Sequence, residues 1–349
     1  MIKKNDKQEV EVRRGLQANE LSEGAKKSML TRIISAIVLV SLVVPSIILG
    51  DWIYFVVMTV AIGFAAYEIL GCAGKRTFAI YIVYVIVIAL IAYWPMLRSL
   101  ITQGGEFSKV DIYFDKIYLS IIVVVFGFFL LFWLTVIYKD FSVVDASFLI
   151  AMAIIIGLGF QCMFYLRYMP MKYVTDAPIE SMDFTVKNTL VPSLLILFVI
   201  LSAVMTDTGA YFVGVLFGKH KMNERISPKK TWEGFWGGLI FSFVITSIVG
   251  LIFAFCDLPI TGAFDKNHWY YILILSFLTP LFATLGDFVF SSIKRYWGIK
   301  DYGKLIPGHG GVLDRLDSIF FAVIIASIFV FIISFQTDGG TINWDFILV

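Results

Sequence analysis

Residues 315–335 read RLDSIFFAVIIASIFVFIISF, and after the first four positions almost every side chain is apolar. A helix of about 20 such residues is long enough to cross the hydrocarbon core of a bilayer. Comparable runs recur along the chain of 349 residues, in which 59% of the side chains are hydrophobic and 15% are charged. The mean hydropathy is +0.86, which is more apolar surface than a water-soluble core could bury. The composition excludes a soluble globular enzyme and predicts an all-α, polytopic integral membrane protein.

Apolar stretches bounded by charged residues, glycine or proline predict about nine transmembrane helices. They lie near residues 32–50, 52–71, 77–97, 117–138, 143–167, 189–218, 233–256, 269–290 and 315–335. We divide the chain into a polar arm (1–31), about five N-terminal spans (32–188), a C-terminal catalytic group of about four spans (189–335) and a short tail (336–349). The arm lacks the apolar core and cleavage site of a signal peptide. An odd number of spans argues against two equal inverted halves of the transporter kind.

The distribution of basic residues predicts the orientation in the membrane. Two connections between C-terminal spans are short and basic, and we call 219–232 the first connector and 291–314 the second connector. The arm, both connectors, the other connections on that side and the adjoining helix ends hold all but seven of the 28 Lys and Arg residues. By the positive-inside rule, the N-terminus and both connectors are cytosolic and the C-terminal tail is external. The net charge of +2 is too small to indicate a nucleic-acid partner.

Six acidic residues fall near the predicted cytosolic ends of spans, where a carboxylate left in the bilayer costs on the order of 3 kcal/mol. They are Glu68, Asp145, Asp207, Asp287, Asp314 and Asp317. Asp314 and Asp317 are three residues apart and share a helical face. With Asp287 they offer three hard oxygen donors of the kind that bind Mg²⁺. A helix cap with a salt bridge to a neighbouring base remains the alternative for the pair, and Glu68 and Asp145 are predicted to be structural.

The second connector places cations and a glycine-rich turn directly before the paired acids. Residues 307–311 read PGHGG, and glycines let backbone N–H groups approach an anion at a helix N-terminus. We therefore predict that this segment binds phosphate or takes part in catalysis. The candidates are Lys294, Arg295, Lys304, His309, Gly310, Gly311 and Arg315. The alternative is that the cations only obey the positive-inside rule and that the glycines only make turns.

The first connector offers a second set of phosphate donors. Its end reads SPKKTWEG at 227–234, where the Ser-Pro pair resembles a helix start or a tight turn. The candidates for substrate binding are Asp207, Lys219, Lys221, Ser227, Lys229, Lys230 and Thr231. A P-loop is absent, because Gly214 and Lys219 have the wrong spacing and His220 stands where Ser or Thr is required. Neither zinc-ligand spacing nor a GxSxG nucleophile elbow occurs, which disfavours zinc protease and serine hydrolase chemistry.

The stretch 291–317 resembles the signature of the phosphatidate cytidylyltransferases, the CDP-diacylglycerol synthases. The signature has S-x-x-K-R, then K-D-x-G four residues later, then P-x-H-G-G-x-x-D-R-x-D. The segment 207–234, with SPKKTWEG, looks like the other well-marked region of that family. The two regions lie in the C-terminal part of the chain, and the first 190 residues resemble the family only in having several hydrophobic spans. A pattern that fixes about a dozen positions is far more specific than a short motif.

The resemblance implies that phosphatidate and CTP react with Mg²⁺ at the cytosolic face of the bacterial inner membrane, giving CDP-diacylglycerol and pyrophosphate. It implies an all-helical membrane fold, a homodimer and metal binding by Asp287, Asp314 and Asp317. It also implies K⁺ as a second ion. If the lipid phosphate attacks the α-phosphorus of CTP, no protein nucleophile is needed and catalysis is positioning with charge neutralisation. His309 would then donate to a phosphate or merely fill its turn, and the role of Asp207 stays open.

Two other functions are compatible with parts of the pattern. The first is a CTP-dependent enzyme that acts on an isoprenoid or ether lipid, or a kinase of a lipid alcohol, because apolar lipid-facing residues do not specify the lipid tail. The second is an anion transporter in which the acids couple ions to transport. A transporter predicts discontinuous helices and charged residues near the bilayer midplane, whereas the charged residues here gather at the predicted cytosolic edge.

Overall fold

The structure, a computed structural model, describes residues 23–102, 118–168, 191–256 and 268–337. These residues form nine α-helices and one two-stranded antiparallel sheet. The helices are α1 (Glu23–Leu49), α2 (Asp51–Cys72), α3 (Phe78–Thr102), α4 (Tyr118–Ile137), α5 (Val143–Arg167), α6 (Val191–Phe217), α7 (Trp232–Phe255), α8 (Tyr270–Tyr296) and α9 (Leu313–Thr337), and the strands are β1 (Lys221–Asn223) and β2 (Ser227–Thr231). The predicted arm before residue 23, most of the external connections and the tail after residue 337 lie outside the described residues.

The helices have the lengths and apolar character of membrane spans. Eight of the described helices are long and apolar enough to cross a membrane. The apolar helix Ile121–Ile137 within α4 is shorter. The prediction of an all-helical, multi-pass membrane protein with about nine helices is confirmed.

The second connector begins later than the sequence predicted. The span predicted over 269–290 is the helix α8, which continues to Tyr296, so residues 291–295 are helical and do not belong to a loop. Hydropathy indicates where a helix leaves the apolar layer of the membrane. The helix itself can continue beyond that point. The consequence is that Asp287, Ser291 and Lys294, at spacings of four and seven residues, share one face of α8.

The first connector is a β-hairpin and not an irregular loop. Lys221 of β1 pairs with Thr231 of β2, and Asn223 pairs with Ser227. The expectation that the Ser-Pro pair at 227–228 starts a helix or a tight turn is wrong, since Ser227 begins a strand and α7 begins at Trp232. Pro228 is tolerated in a two-stranded hairpin because an edge strand has N–H groups that no neighbour requires.

The four C-terminal helices pack closely on one another, and buried hydroxyls join three of them. α6 packs against α7, α8 packs against α9, and α9 also contacts α5 of the N-terminal spans. The Ser202 hydroxyl of α6 lies 2.7 Å from the Thr279 hydroxyl of α8 and 3.2 Å from the Ser242 hydroxyl of α7. Such interhelical hydrogen bonds help to hold membrane helices together, because lipid tails are as apolar as the side chains and the hydrophobic effect does not drive the helices to associate. The division of the chain near residue 189 stays a prediction.

Candidate active site

The hairpin brings a lysine of the first connector to an acid of α8. The Lys230 ammonium, at the end of β2, forms an ion pair with Oδ2 of Asp287. The same ammonium lies 4.1 Å from the centroid of the Phe288 ring. The other carboxylate oxygen of Asp287 accepts a hydrogen bond from the Ser291 hydroxyl at 3.2 Å. The sequence predicted Lys230 and Asp287 in one site, and the structure places them in contact.

The base of the hairpin is fixed by residues at the start of α7. The Thr231 hydroxyl is buried and accepts a hydrogen bond from the Gly234 amide at 3.1 Å, which caps the helix. The Glu233 carboxylate accepts from the backbone amides of Lys219 at 3.1 Å and His220 at 3.2 Å. These contacts hold the ends of the hairpin together. The predicted substrate contact Ser227, at the start of β2, is partly exposed. The ammonium-bearing residues Lys219, Lys221 and Lys229 remain exposed around this base.

The two connectors meet through Arg295. Its guanidinium donates from Nε to the Ile226 carbonyl of the hairpin at 3.1 Å and from Nη1 to the Ile299 carbonyl at 2.9 Å. Arg295 therefore ties the hairpin to the C-terminal end of α8. The sequence predicted a catalytic role for this residue, and in the structure its guanidinium holds the two basic segments side by side.

A buried lysine lies between the paired acids of α9. Lys294 is 7% exposed, and its ammonium is 2.9 Å from Oδ1 of Asp314 and 3.6 Å from Oδ2 of Asp317. A charge in so little contact with water is stable only when it is paired. Lys294 therefore serves as the counter-charge for both acids.

The two paired acids differ in their surroundings. Oδ2 of Asp314 accepts hydrogen bonds from the backbone amides of Tyr302 and Gly311, both at 2.9 Å, so each oxygen of Asp314 already has a donor. Within the described residues, Oδ1 of Asp317 accepts one hydrogen bond, from the Ser318 amide at 2.8 Å. Asp314 therefore anchors the second connector, whereas Asp317 keeps coordinating capacity.

Three carboxylates lie close enough to repel one another. Asp207 of α6 and Asp317 of α9 both interact electrostatically with Asp287 of α8, and Asp207 also interacts with Asp317. The close approach of α8 and α9 depends on Gly286, where a Cβ atom would lie 2.6 Å from the Asp317 carbonyl oxygen. Asp207 is exposed, Asp287 is half-buried and Asp317 is buried. We call Asp207, Asp287 and Asp317 the acidic cluster.

The acidic cluster consists of carboxylates, the ligand type that divalent cations such as Mg²⁺ prefer. Among the described residues, no group of three or more His, Cys, Asp or Glu side chains is arranged so that it could hold a metal ion by itself. Mg²⁺ usually keeps several waters and binds through one or two carboxylates together with substrate phosphates, so a full protein cage is not required. Asp287 and Asp317 are hard oxygen donors of the type that Mg²⁺ prefers, and in the structure Lys230 and Lys294 are their partners.

The PGHGG turn is held by α1. The His309 ring Nδ1 lies 2.7 Å from the Ser35 hydroxyl, which also donates to the Pro307 carbonyl at 2.9 Å. Burial, together with the nearby guanidinium groups of Arg315 and Arg32, lowers the pKa of His309. A lower pKa favours the neutral imidazole, which can still donate one hydrogen bond to a phosphate. Gly310 has a φ of +89°, a conformation that favours glycine.

The sequence predicted that the N-terminus of α9 is free to bind an anion, but in the structure its backbone amides already donate to protein carboxylates. Glu68 of α2 accepts hydrogen bonds from the amides of Val312 and Leu313, both at 2.9 Å, and Asp314 accepts from Gly311. Protein carboxylates thus occupy the backbone donors that the sequence offered to a phosphate. The remaining predicted contacts of this segment, Lys304 and Arg315, are exposed.

Sequence reasoning missed two contacts of the site. Ser35 gave no signal, because a hydroxyl within an apolar span is ordinary. Glu68 was recognised as an acid at membrane depth, but its partners 244 and 245 positions further along the chain could not be inferred.

The fold and the site define a multi-pass membrane protein in which two basic connectors meet an acidic cluster at one end of the helix bundle. The model of the cytidylyltransferase family matches residues 30–333. The chain therefore belongs to the cytidylyltransferase family.

Several bacterial proteins named phosphatidate cytidylyltransferase are similar to this chain. The one from Staphylococcus epidermidis is 36% identical over 190 residues, which cover 54% of this chain and 61% of that protein. The one from Staphylococcus haemolyticus is 37% identical over 196 residues, which cover 56% of this chain and 63% of that protein. The one from Staphylococcus aureus is 36% identical over 190 residues. The chain thus spans less than two thirds of the length of the curated relatives it matches.

Proposed function

We propose that this protein is a phosphatidate cytidylyltransferase that converts phosphatidate and CTP into CDP-diacylglycerol and pyrophosphate. The observation that carries the proposal is the contact between the first connector and the acidic cluster, made by the Lys230–Asp287 ion pair. It brings cations and hard oxygen donors from separate parts of the chain to one end of the bundle. The named activity of the staphylococcal relatives supports the same reaction.

The proposed reaction needs no nucleophile from the protein. A phosphate oxygen of phosphatidate attacks the α-phosphorus of CTP and forms a new P–O bond. The bond between the α-phosphorus and its bridging oxygen breaks, and the β- and γ-phosphates leave as pyrophosphate. Because two anionic phosphates must approach each other, the protein contributes by holding them in place and neutralising their charge.

The acidic cluster is the proposed site for Mg²⁺. Asp287 and Asp317 would hold the ion with help from Asp207, and the bound ion would neutralise charge on nucleotide phosphate oxygens. In the structure Lys230 pairs with Asp287. Substrate phosphates would compete for this ammonium and leave the carboxylate available to the metal. Asp314 was predicted as a third ligand, and we propose that it contributes mainly by fixing Lys294 and the second connector.

The exposed cations of the two connectors and of the start of α9 would share the phosphates of both substrates. They are Lys219, Lys221, Lys229, Lys304 and Arg315. Their exposure allows each side chain to reach a bound anion without breaking a buried contact. Gly310 and Ser227 stay predicted substrate contacts, whereas the Gly311 amide already donates to Asp314 and the buried Thr231 hydroxyl already caps α7.

The placement of the site explains why a nucleotide-using enzyme would lie in a membrane. Asp207 is exposed on a helix that is long and apolar enough to span a membrane, and we propose that the acidic cluster is reached from that side of the bundle. A phosphatidate could place its head group there while its tails stay in the bilayer. We propose that the site faces the cytosol of a bacterial inner membrane, since both connectors carry the basic excess. K⁺ as a second ion and a homodimer stay predictions from the resemblance.

The direct test uses the purified protein in detergent with CTP labelled in the cytidine and, separately, in the γ-phosphate. We expect Mg²⁺-dependent transfer of the cytidine label to phosphatidate and release of the γ-label as pyrophosphate. Transfer of the γ-label to diacylglycerol would instead show a lipid kinase. A preference for an isoprenoid or ether lipid over phosphatidate would reassign the substrate. Because detergent solution has no sealed compartment, turnover there also excludes transport as the primary activity.

Lys230→Ala is expected to lower kcat/KM for CTP or phosphatidate about 10- to 100-fold. The reason is the loss of one charge-assisted hydrogen bond to a phosphate, which contributes roughly 1.5–3 kcal/mol. Steady-state kinetics with each substrate varied in turn measures the effect. Lys139→Ala is the matched control, because Lys139 is an exposed lysine of another connection on the predicted cytosolic side. An unchanged kcat/KM for both substrates in Lys230→Ala would leave Lys230 as a charge that only orients the chain.

A further inference from the structure

Glu68 connects the N-terminal spans to the second connector. It lies on α2, is 3% exposed, and directs one carboxylate oxygen to the Val312 amide and the other to the Leu313 amide, each at 2.9 Å. A buried carboxylate is costly unless both oxygens find donors, and here the donors are the first amides of α9. The contact therefore couples two segments that are far apart in the sequence.

Two glycines of the second connector lie against the same carboxylate. A Cβ atom on Gly303 would lie 2.5 Å from Oε1 of Glu68, and one on Gly311 would lie 2.4 Å from it. The atoms nearest to both hypothetical Cβ positions all belong to Glu68. Neither glycine has a positive φ, so the requirement for glycine here comes from the space that Glu68 occupies and not from backbone strain.

The opposite side of this segment is held by α9 itself. Asp314 accepts from the amides of Tyr302 and Gly311. The residues from 302 to 313 are thus fixed between Glu68 on one side and Asp314 on the other. Lys304 and the PGHGG turn lie within this stretch, so the position of each depends on both carboxylates.

We propose that Glu68 is a positioning residue for the active site: its carboxylate sets the path of residues 302–313 and so places Lys304 and His309 for the substrates. The activity readout rests on the proposed function. The hydrogen bonds of the Glu68 carboxylate within the described part of the chain go to backbone amides, so Glu68 would affect the reaction through the position of residues 302–313. A carboxylate is required because each oxygen accepts one hydrogen bond, whereas a glutamine would direct an NH₂ group at one of the two amides.

The first experiment compares Glu68→Gln with Asp145→Asn. Asp145 is a matched control, because it is also a buried acid of the same predicted depth, but its partners are Ser142 and Lys75 and not the second connector. Amide hydrogen exchange of the substrate-free protein in detergent is measured for peptides that cover 302–313. We expect faster exchange in this segment for Glu68→Gln alone, and a fall in kcat/KM of about 10- to 100-fold. Wild-type exchange and wild-type kcat/KM in Glu68→Gln would overturn the proposal.

A double-mutant cycle distinguishes a specific effect of Glu68 on the second connector from a general loss of protein stability. Gly303→Ala should lower kcat/KM in the wild-type protein, because its methyl group would collide with Glu68. In a Glu68→Ala background the same change should cost less than twofold, since the obstructing carboxylate is gone. Equal losses in the two backgrounds would overturn the proposal. If the wild-type protein makes no CDP-diacylglycerol, the proposed function fails, and the exchange measurement still decides whether Glu68 fixes residues 302–313.

Discussion

Asp317→Asn is expected to lower the rate of CDP-diacylglycerol formation at least about 100-fold, the effect seen when a preorganised charge at a reacting phosphate is lost. Asparagine has the same shape and can still accept from the Ser318 amide, which lies 2.8 Å from the carboxylate. It cannot supply the negative charge that a divalent ion needs. The change therefore separates the charge of the residue from its packing.

The measurement for Asp317→Asn is kcat at saturating CTP and phosphatidate over a range of Mg²⁺ concentrations. Asp301→Asn is the control, since Asp301 is an exposed aspartate of the second connector outside the acidic cluster. The control should retain wild-type turnover. Near-normal turnover of Asp317→Asn at saturating Mg²⁺ would remove Asp317 from the proposed metal site.

Lys294→Met is expected to destabilise the protein by roughly 3–5 kcal/mol and to abolish measurable turnover. Methionine retains the length of the side chain but removes the ammonium that faces Asp314 at 2.9 Å and Asp317 at 3.6 Å. Two buried carboxylates then share no counter-charge. Thermal unfolding of the detergent-solubilised protein and the product assay measure the two effects.

Two further variants isolate the cause of the Lys294 effect. Lys300→Met, at an exposed lysine of the second connector, should leave the unfolding temperature unchanged. Adding Asp314→Asn to Lys294→Met should recover part of the lost stability, because one uncompensated carboxylate is removed, but it should not restore turnover. An unfolding temperature for Lys294→Met equal to that of the wild type would show that the buried pair does not stabilise the fold.

Hydropathy was sufficient to predict the membrane helices but not all of their ends. The predicted span 143–167 coincides with α5, because a serine cap and an apolar run mark its start. α8 runs past its predicted end because residues 291–296 are polar enough to leave the bilayer, and Lys294 and Arg295 in the last turn favour a helix and its C-terminal dipole. The hairpin of the first connector was missed because its strands are only three and five residues long. Strands that short are not long enough to show a reliable alternation of apolar and polar residues.

The sequence indicated some of the charges that come together better than it indicated how each is bound. Lys230 of the first connector contacts Asp287, and Lys294 contacts both Asp314 and Asp317. Helical spacing made Asp314 and Asp317 equivalent, whereas the structure turns Asp314 towards the amides of the second connector. That difference depends on the path of the second connector between α8 and α9. This segment has no regular secondary structure, so no periodic sequence pattern predicts its path. The contact of Glu68 with α9 was hidden for the same reason.

The most direct test of the central claim replaces Mg²⁺ by Mn²⁺ and records the phosphorus hyperfine coupling of the bound ion by pulsed electron paramagnetic resonance in the presence of CTP. We expect a coupling between protein-bound Mn²⁺ and nucleotide phosphorus in the wild-type protein that is lost in the Asp287→Asn and Asp317→Asn double variant. An identical coupled signal in the double variant would contradict the claim that the acidic cluster holds a divalent ion against the nucleotide phosphates.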